Sequence, residues 1–131
     1  MSMHEALAEA LVAKLRGDPA CAGIGVSDAP PVRASLPFVE VTPPILSDWS
    51  AKDRAGVEAR VLLRIEDAGE RAVRLRALAD AIGAVVAAGV AVPGWESGAV
   101  VLTRSRIARR GDARWVASVE FRMRLLEVGE D

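Results

Sequence analysis

The chain has 131 residues, of which 51% are hydrophobic and 27% are charged. This length suits one domain with a sizeable core and is too short for two ordinary domains, so we expect a single domain over residues 1–131. Because 17 basic residues stand against 18 acidic ones, the net charge of -1 excludes a whole-chain field that would attract nucleic acid or an anionic membrane.

The first predicted element is an amphipathic helix from Ser2 to Arg16. Its apolar residues recur every four positions on one stripe, namely Leu7, Leu11 and Leu15. Ser2 followed by Glu5 is typical of a capping box, and Gly17 with Pro19 supplies the stop. The segment from 18 to 36 holds three prolines and little periodicity, so we expect an ordered loop with a short strand at 24–26.

The central part of the chain predicts two strands separated by a loop. The first strand opens after Pro37, runs from Phe38 to Thr42 and ends at two prolines, and we interpret residues 45–56 as the loop. From 57 to 66 the residues alternate: the odd positions are apolar, whereas the charged residues are even, namely Glu58, Arg60, Arg64 and Glu66. This alternation predicts a strand with one buried face.

A helix and a hairpin complete the predicted elements. After Gly69 apolar residues recur every three or four positions, which predicts an amphipathic helix that needs a sheet beneath it. The ranges 98–109 and 114–127 then read as two strands, because Gly111 and Asp112 are typical of the turn between them. The second strand has an apolar odd face and an even face that carries Glu120, Arg122 and Arg124. The short acidic tail 128–131 is expected to fray.

Together these elements predict an α+β fold. We expect an antiparallel β-sheet of about four main strands with two helices packed on one face, because each strand has one apolar face that needs cover. The charged even faces of two strands would then share the exposed side of the sheet. That side is either simply solvated or meets complementary charges on a neighbouring subunit, and the sequence does not separate the two.

Two stretches are candidate contact sites. The first is a loop that combines one large aromatic with several polar and charged residues, namely Asp48, Trp49, Ser50, Lys52 and Arg54. Such a loop suits a subunit or partner interface, and the alternative is that Trp49 folds back as a lid on the core of its own domain.

The second candidate is the arginine-rich hairpin, defined by Arg104, Arg106, Arg109, Arg110 and Arg114. Only Asp112 offsets these charges, so the hairpin is a candidate to contact a phosphate backbone or an acidic partner rim. Strand alternation predicts that Arg104 and Arg106 share one side. A plain solvated turn is weighed equally, and the lack of interleaved aromatics argues against base stacking.

Motifs that carry catalysis are missing from the sequence. It has one histidine, one cysteine and no tyrosine, and it lacks a Gly-rich phosphate loop, a nucleophile elbow and metal-ligand spacing. We expect His4 to be solvated and Cys21 to be a small buried thiol. The sequence therefore predicts no enzyme and no cofactor or metal. The absence of a signal-peptide pattern and of a long apolar run predicts no membrane partner.

Three stretches carry a resemblance to a known family. LPFVEV at 36–41, DWSAKDRAGVEARVLLRI at 48–65 and GERAVRLRALADAIGAVV at 69–86, in this order and spacing, together resemble the DUF3168 family. Its members are tail completion, or tail terminator, proteins of tailed phages and gene transfer agents. The resemblance implies a structural protein that forms a hexameric ring at the head-proximal end of a tail tube, stops tube growth and joins the tail to the head connector.

The resemblance also implies partners. These are further copies of the chain, the tail tube protein, the head–tail connector protein, and weak nonspecific contact of the arginine hairpin with DNA in the channel. The protein would be cytoplasmic during assembly and then part of a phage or gene-transfer-agent particle, and the Trp49 loop would lean towards an inter-subunit role. The alternative is a cytoplasmic adaptor that binds nucleic acid or protein through the arginine hairpin, with an enzyme as the third hypothesis.

Overall fold

Two helices lie where the apolar stripes predict them in the part of the chain that the computed structural model describes, which is residues 1–29, 33 and 35–129. Helix α1 spans Met3–Arg16 and helix α2 spans Val73–Ala87. The side chain of Ser2 accepts a hydrogen bond of 3.2 Å from the backbone N–H of Glu5, which is the N-cap half of the predicted capping box. Gly17 caps the carboxyl end of α1.

Seven strands of the described residues form one sheet. They are β1 Gly25–Ser27, β2 Phe38–Val41, β3 Ile45–Asp48, β4 Gly56–Ala68, β5 Trp95–Ser97, β6 Val101–Arg109 and β7 Arg114–Glu127. The order is β1-β2-β4-β7-β5, with β3 also beside β4 and β6 also beside β7. The antiparallel pair of β4 and β7 runs along the whole of β4 and forms the centre of the sheet.

The sheet corrects the prediction of about four antiparallel strands. It contains seven strands within the described residues, and it is mixed because β1 pairs with β2 in parallel. The short edge strand β1 agrees with the strand expected at 24–26, whereas the edge strand β5 was not predicted, because its three residues are too few for an alternating pattern to be recognised. The α+β class and the two helices agree with the prediction.

Strand β3 corrects the prediction that residues 45–56 are all loop. Val41 pairs with Leu63, whereas Ile45 pairs with Arg60, so this edge carries one residue more than β4 across the Pro43–Pro44 step. The extra residue changes which positions face the core: Val41 is buried, but Ile45 is 68% exposed. Two prolines look like the end of a strand in the sequence, yet the chain resumes its pairing with β4 directly after them.

The core lies between one face of the sheet and the two helices. It contains the odd-numbered apolar residues of both central strands, which are Ala59, Val61, Leu63 and Ile65 on β4 and Ala117, Val119, Phe121, Met123 and Leu125 on β7. The leucine stripe of α1 and the apolar stripe of α2 pack against them. The predicted inward faces of both strands are therefore confirmed. Cys21 is buried beside this core, as expected.

The turn between β6 and β7 also agrees with the prediction. Strand β6 ends at Arg109 and β7 begins at Arg114, and the backbone N–H of Arg110 donates to the carbonyl of Arg114 at 2.8 Å. Two predictions concern residues that the structure does not fully describe. The loop prediction for residues 30–32 and 34, and the fraying predicted for the last two residues of the tail, lie outside the described residues.

Candidate functional site

The face of the sheet that points away from the helices, called the open face below, carries the even-numbered residues of β4 and β7. Arg64 lies at its centre and donates to Glu40 Oε1 from Nε at 2.9 Å and from Nη2 at 2.7 Å. Its Nη1 lies 2.9 Å from Glu66 Oε2. Arg110 and Arg114 approach the other oxygen of Glu66 at 3.8 Å each. Both carboxylates are buried, so this cluster neutralises charges that would otherwise be costly to bury.

A third buried carboxylate, that of Asp67, ties the end of β4 to the start of α2. Arg74 donates from Nε to Asp67 Oδ2 at 2.8 Å and also bonds Oδ1, and the backbone N–H of Ala68 donates to Oδ1 at 2.8 Å. The hydrogen bond from Arg74 holds the pKa of Asp67 below its usual range, although burial opposes this shift. The indole N–H of Trp115 donates to the carbonyl of Gly69 at 2.9 Å in the same connection. These contacts fix the connection between β4 and α2 and engage both carboxylate oxygens of Asp67.

The Trp49 loop, residues 48–54, is a hairpin tip between β3 and β4 with its own hydrogen bonds. Ser50 Oγ donates to Asp48 Oδ1 at 2.6 Å and accepts from the backbone N–H of Gly56 at 3.1 Å. The N–H of Trp49 donates to the carbonyl of Gly56 at 2.9 Å. A Cβ on Gly56 would collide with the Trp49 carbonyl oxygen, so glycine is needed at this crossing. The loop is therefore held in one shape.

The predicted loop residues lie together at this tip. Trp49 is 39% exposed, and the Arg124 guanidinium lies 4.9 Å from the centre of its ring, on the open face. Arg54 reaches back to the carboxyl end of β7 and donates to the carbonyl of Glu127 from Nε at 3.0 Å and from Nη2 at 2.7 Å. Lys52 is exposed at the tip. The partner that the loop would contact stays a prediction.

The five arginines of the hairpin are distributed over two sides of the sheet. Arg104 and Arg106 are exposed on the open face, where they pair with Glu120 and Ser118, so they share one side as alternation predicts. The Arg109 guanidinium lies 5.8 Å from the ring centre of Trp115, which packs against the core. Arg110 and Arg114 approach the buried Glu66 at the hairpin end. Contact of these residues with DNA or an acidic rim stays a prediction.

A further surface on the open face was not found from the sequence. Ile45, Arg60, Arg122 and Val101 form one row across β3, β4, β7 and β6, because each pairs with the next in the register. Ile45, Arg60 and Arg122 of this basic row line a groove of about 500 Å³ together with residues that include Thr103, Arg104 and Glu120. The only feature of the sequence that pointed to this surface is the charge of the even-numbered positions on β4 and β7. The row itself depends on β3, where the sequence predicts a loop, and on a register that alternation does not reveal.

The described ranges contain no group of three or more side chains that would hold a metal ion. Among the same residues, every buried side-chain nitrogen and oxygen has a hydrogen-bond partner. No helix in the described part of the chain is both long and apolar enough to cross a membrane.

The fold of this chain is similar to that of a chain in a solved structure. A chain in a solved structure titled "Virion of native gene transfer agent (GTA) particle" is similar to this one, with a TM-score of 0.81 and 23% sequence identity over 93% of this chain and 96% of that chain. At this identity the likeness shows the fold alone. A comparison with curated proteins finds no significant match.

The family model described as "Tail completion protein gp17" matches residues 9–126. This range includes α2, strands β1 to β6, all of β7 except its last residue, and the second half of α1. The match supports the tail completion part of the resemblance found in the sequence, whereas the DUF3168 label is not confirmed. Because the family model covers most of the chain, this protein belongs to the tail completion protein gp17 family.

Proposed function

We propose that this tail completion protein forms a ring of six copies at the head-proximal end of a phage-like tail tube. The ring stops growth of the tube and offers a new surface to the head connector. It is assembled in the cytoplasm and then becomes part of a phage or gene-transfer-agent particle. The tail completion family and the fold shared with a chain of a gene transfer agent particle support this proposal.

The observation that carries the proposal is the one-sided construction of the subunit. Both helices cover one face of the sheet, while the open face carries exposed arginines beside exposed apolar side chains such as Ile45 and Val101. A subunit with two unlike sides suits a heterologous contact, in which one side of a copy meets the other side of the next copy. Such contacts close into a ring when the rotation between neighbours allows it.

The Trp49 loop is the proposed contact with a neighbouring subunit or a tail protein. Its internal hydrogen bonds hold the shape of the tip before any partner arrives, so binding costs little conformational entropy there. The exposed aromatic ring supplies apolar area, and the flanking charged residues supply orientation.

The Trp49→Ala variant tests this contact. We expect the melting temperature of the isolated chain to stay close to that of the parent, because the ring is partly exposed, while particle assembly in a producing strain is lost. Trp115→Ala is the matched control: its ring packs against the core, so that variant should lose stability. A large loss of monomer stability in Trp49→Ala would instead favour the lid hypothesis. If the variant forms normal particles, the loop is not part of the interface.

Deleting the gene tests the function itself. We expect the deletion to prevent completion of tails, and electron microscopy of the products should show tubes of uncontrolled length or tails without heads. The native mass of the purified protein, or of the ring in particles, should correspond to six copies. An adaptor would instead stay a monomer or dimer, and normal particles from the deletion strain would refute the proposed function.

A further inference from the structure

The basic row places two arginines directly opposite each other. Arg60 on β4 and Arg122 on β7 are a cross-strand pair, with Ile45 and Val101 as their outer neighbours. Side chains at such a pair have Cβ atoms about 4.5–5.5 Å apart, and like charges at this distance destabilise the sheet. Because this arrangement lowers the stability of the isolated subunit, we look for its role in a contact with another molecule.

No ion pair within the described residues offsets this repulsion. No carboxylate oxygen of those residues lies within 4.0 Å of a guanidinium nitrogen of Arg60 or Arg122. By contrast, Arg64 and Arg124 on the same face each have a carboxylate partner. The two flanking apolar side chains are 68% exposed at Ile45 and 40% exposed at Val101. The two arginines of the row therefore lack carboxylate partners, and an exposed apolar side chain lies on either side of them.

The same chain presents matching groups on its other side. Glu5 and Glu9 are exposed on α1 and have no ion pair within 4.0 Å among the described residues. They are four positions apart, so they share one helix face with Cβ atoms about 5–6 Å apart. This spacing is close to that of the opposed arginines. Glu9 also lines an apolar groove of about 790 Å³ between α1 and the 91–95 segment, which includes Ala10, Pro93 and Trp95.

We infer that the basic row of one copy binds the Glu5–Glu9 face of helix α1 of the next copy. Each carboxylate bonds one guanidinium, and the exposed apolar ends of the row reach the apolar groove beside α1. Because α1 covers the face of the sheet opposite to the row, the contact is heterologous and propagates from copy to copy. This inference rests on the proposed ring and names the surfaces that form it.

Charge complementarity favours a second copy over another occupant. The arginine pair repels cations and the glutamate pair repels anions, so the correct contact is favoured and the two symmetric contacts, row to row and helix to helix, are disfavoured. A contact that only works between unlike sides gives the directional assembly that a closed ring requires. Raising the salt concentration should weaken it, because Arg60, Glu5 and Glu9 are exposed and Arg122 is half-buried before the copies meet.

A charge-swap experiment tests the inference. Three variants are compared with the wild type: Arg60→Glu with Arg122→Glu, Glu5→Arg with Glu9→Arg, and all four changes together. Self-association is measured by analytical ultracentrifugation, and particle yield is measured in the deletion strain. We expect each double variant to weaken self-association and lower particle yield by about tenfold or more, whereas the fourfold variant restores most of both. Thermal melts confirm that every variant is folded.

The matched control is Arg71→Glu with Arg76→Glu, which makes the same charge change at two exposed arginines outside the row. It should assemble like the wild type. As a direct measurement, Glu9→Cys on one chain and Arg122→Cys on another should form a disulfide when the two are mixed or co-assembled. The native Cys21 is buried and present in every sample.

The outcomes separate this inference from the proposed function. If the deletion prevents particle formation but both double variants assemble normally, the function stands and the inference is wrong. If only the arginine variant fails, the occupant is a different acidic protein, and if both fail without rescue the two surfaces do not meet. If the wild-type chain stays monomeric at its highest soluble concentration and no Glu9–Arg122 disulfide forms, a second copy is not the occupant.

Discussion

Replacing Phe121 by alanine tests whether the faces of the central strands are assigned correctly. Phe121 lies on β7 between Val61 of β4 and Leu102 of β6, and its side chain is only 1% exposed. It is the largest of the fully buried side chains. Its removal would leave a cavity in the middle of the core, where the paired backbone of β4 and β7 limits collapse.

The free energy of unfolding should fall by about 3–5 kcal/mol, which is the range for Phe→Ala in a core. This loss combines the transfer free energy of the removed ring with the free-energy cost of the cavity that it leaves. Domains of ordinary size are stable by about 5–15 kcal/mol, so about a fifth or more of the total would be lost. For a domain of this length the melting temperature should fall by roughly 10–25 °C.

Circular dichroism during thermal and urea unfolding measures the change directly. The control is Val73→Ala, which truncates an exposed apolar residue in the first turn of α2 and should change stability by less than about 0.5 kcal/mol. A Phe121→Ala melt within a degree or two of the parent would refute the assignment of the odd-numbered residues to the core.

Two further predictions concern the backbone crossing and the buried carboxylate. Gly56→Ala should lower the free energy of unfolding by about 1–3 kcal/mol, because the new Cβ meets the carbonyl of Trp49, whereas the control Gly83→Ala meets nothing within 4 Å and should be neutral or stabilising; equal melts would contradict this. The lowered pKa of Asp67 means that its carboxylate stabilises the fold above its unfolded pKa of about 3.9, and that this stabilisation is lost as the pH falls towards the folded pKa. The stability difference between wild type and Asp67→Asn should thus be constant from about pH 5 to 8 and shrink below about pH 4, and a difference that widens in acid would show the sign to be wrong.

Local patterns in the sequence determined the main elements of this protein. The leucine stripe of α1, the apolar stripe of α2 and the alternation along β4 and β7 each predicted an element and its buried face, because side-chain direction repeats with the period of the local backbone. The Gly111–Asp112 turn followed from local turn chemistry in the same way. The Trp49 loop was recognised as a unit because its residues are contiguous.

Which residues meet across strands depends on the packing of the folded sheet. Alternation fixes the face of a side chain but not its partner: a shift of β4 against β7 by two residues would keep every odd residue in the core, yet it would place Arg60 opposite Glu120 or Arg124 instead of Arg122. Strand β3 was hidden for a related reason, since the Pro43–Pro44 step moves the inward positions from odd to even. The basic row joins two hairpins, β3–β4 and β6–β7, that are distant in sequence, and its composition depends on the packing of the whole sheet, which no local period encodes.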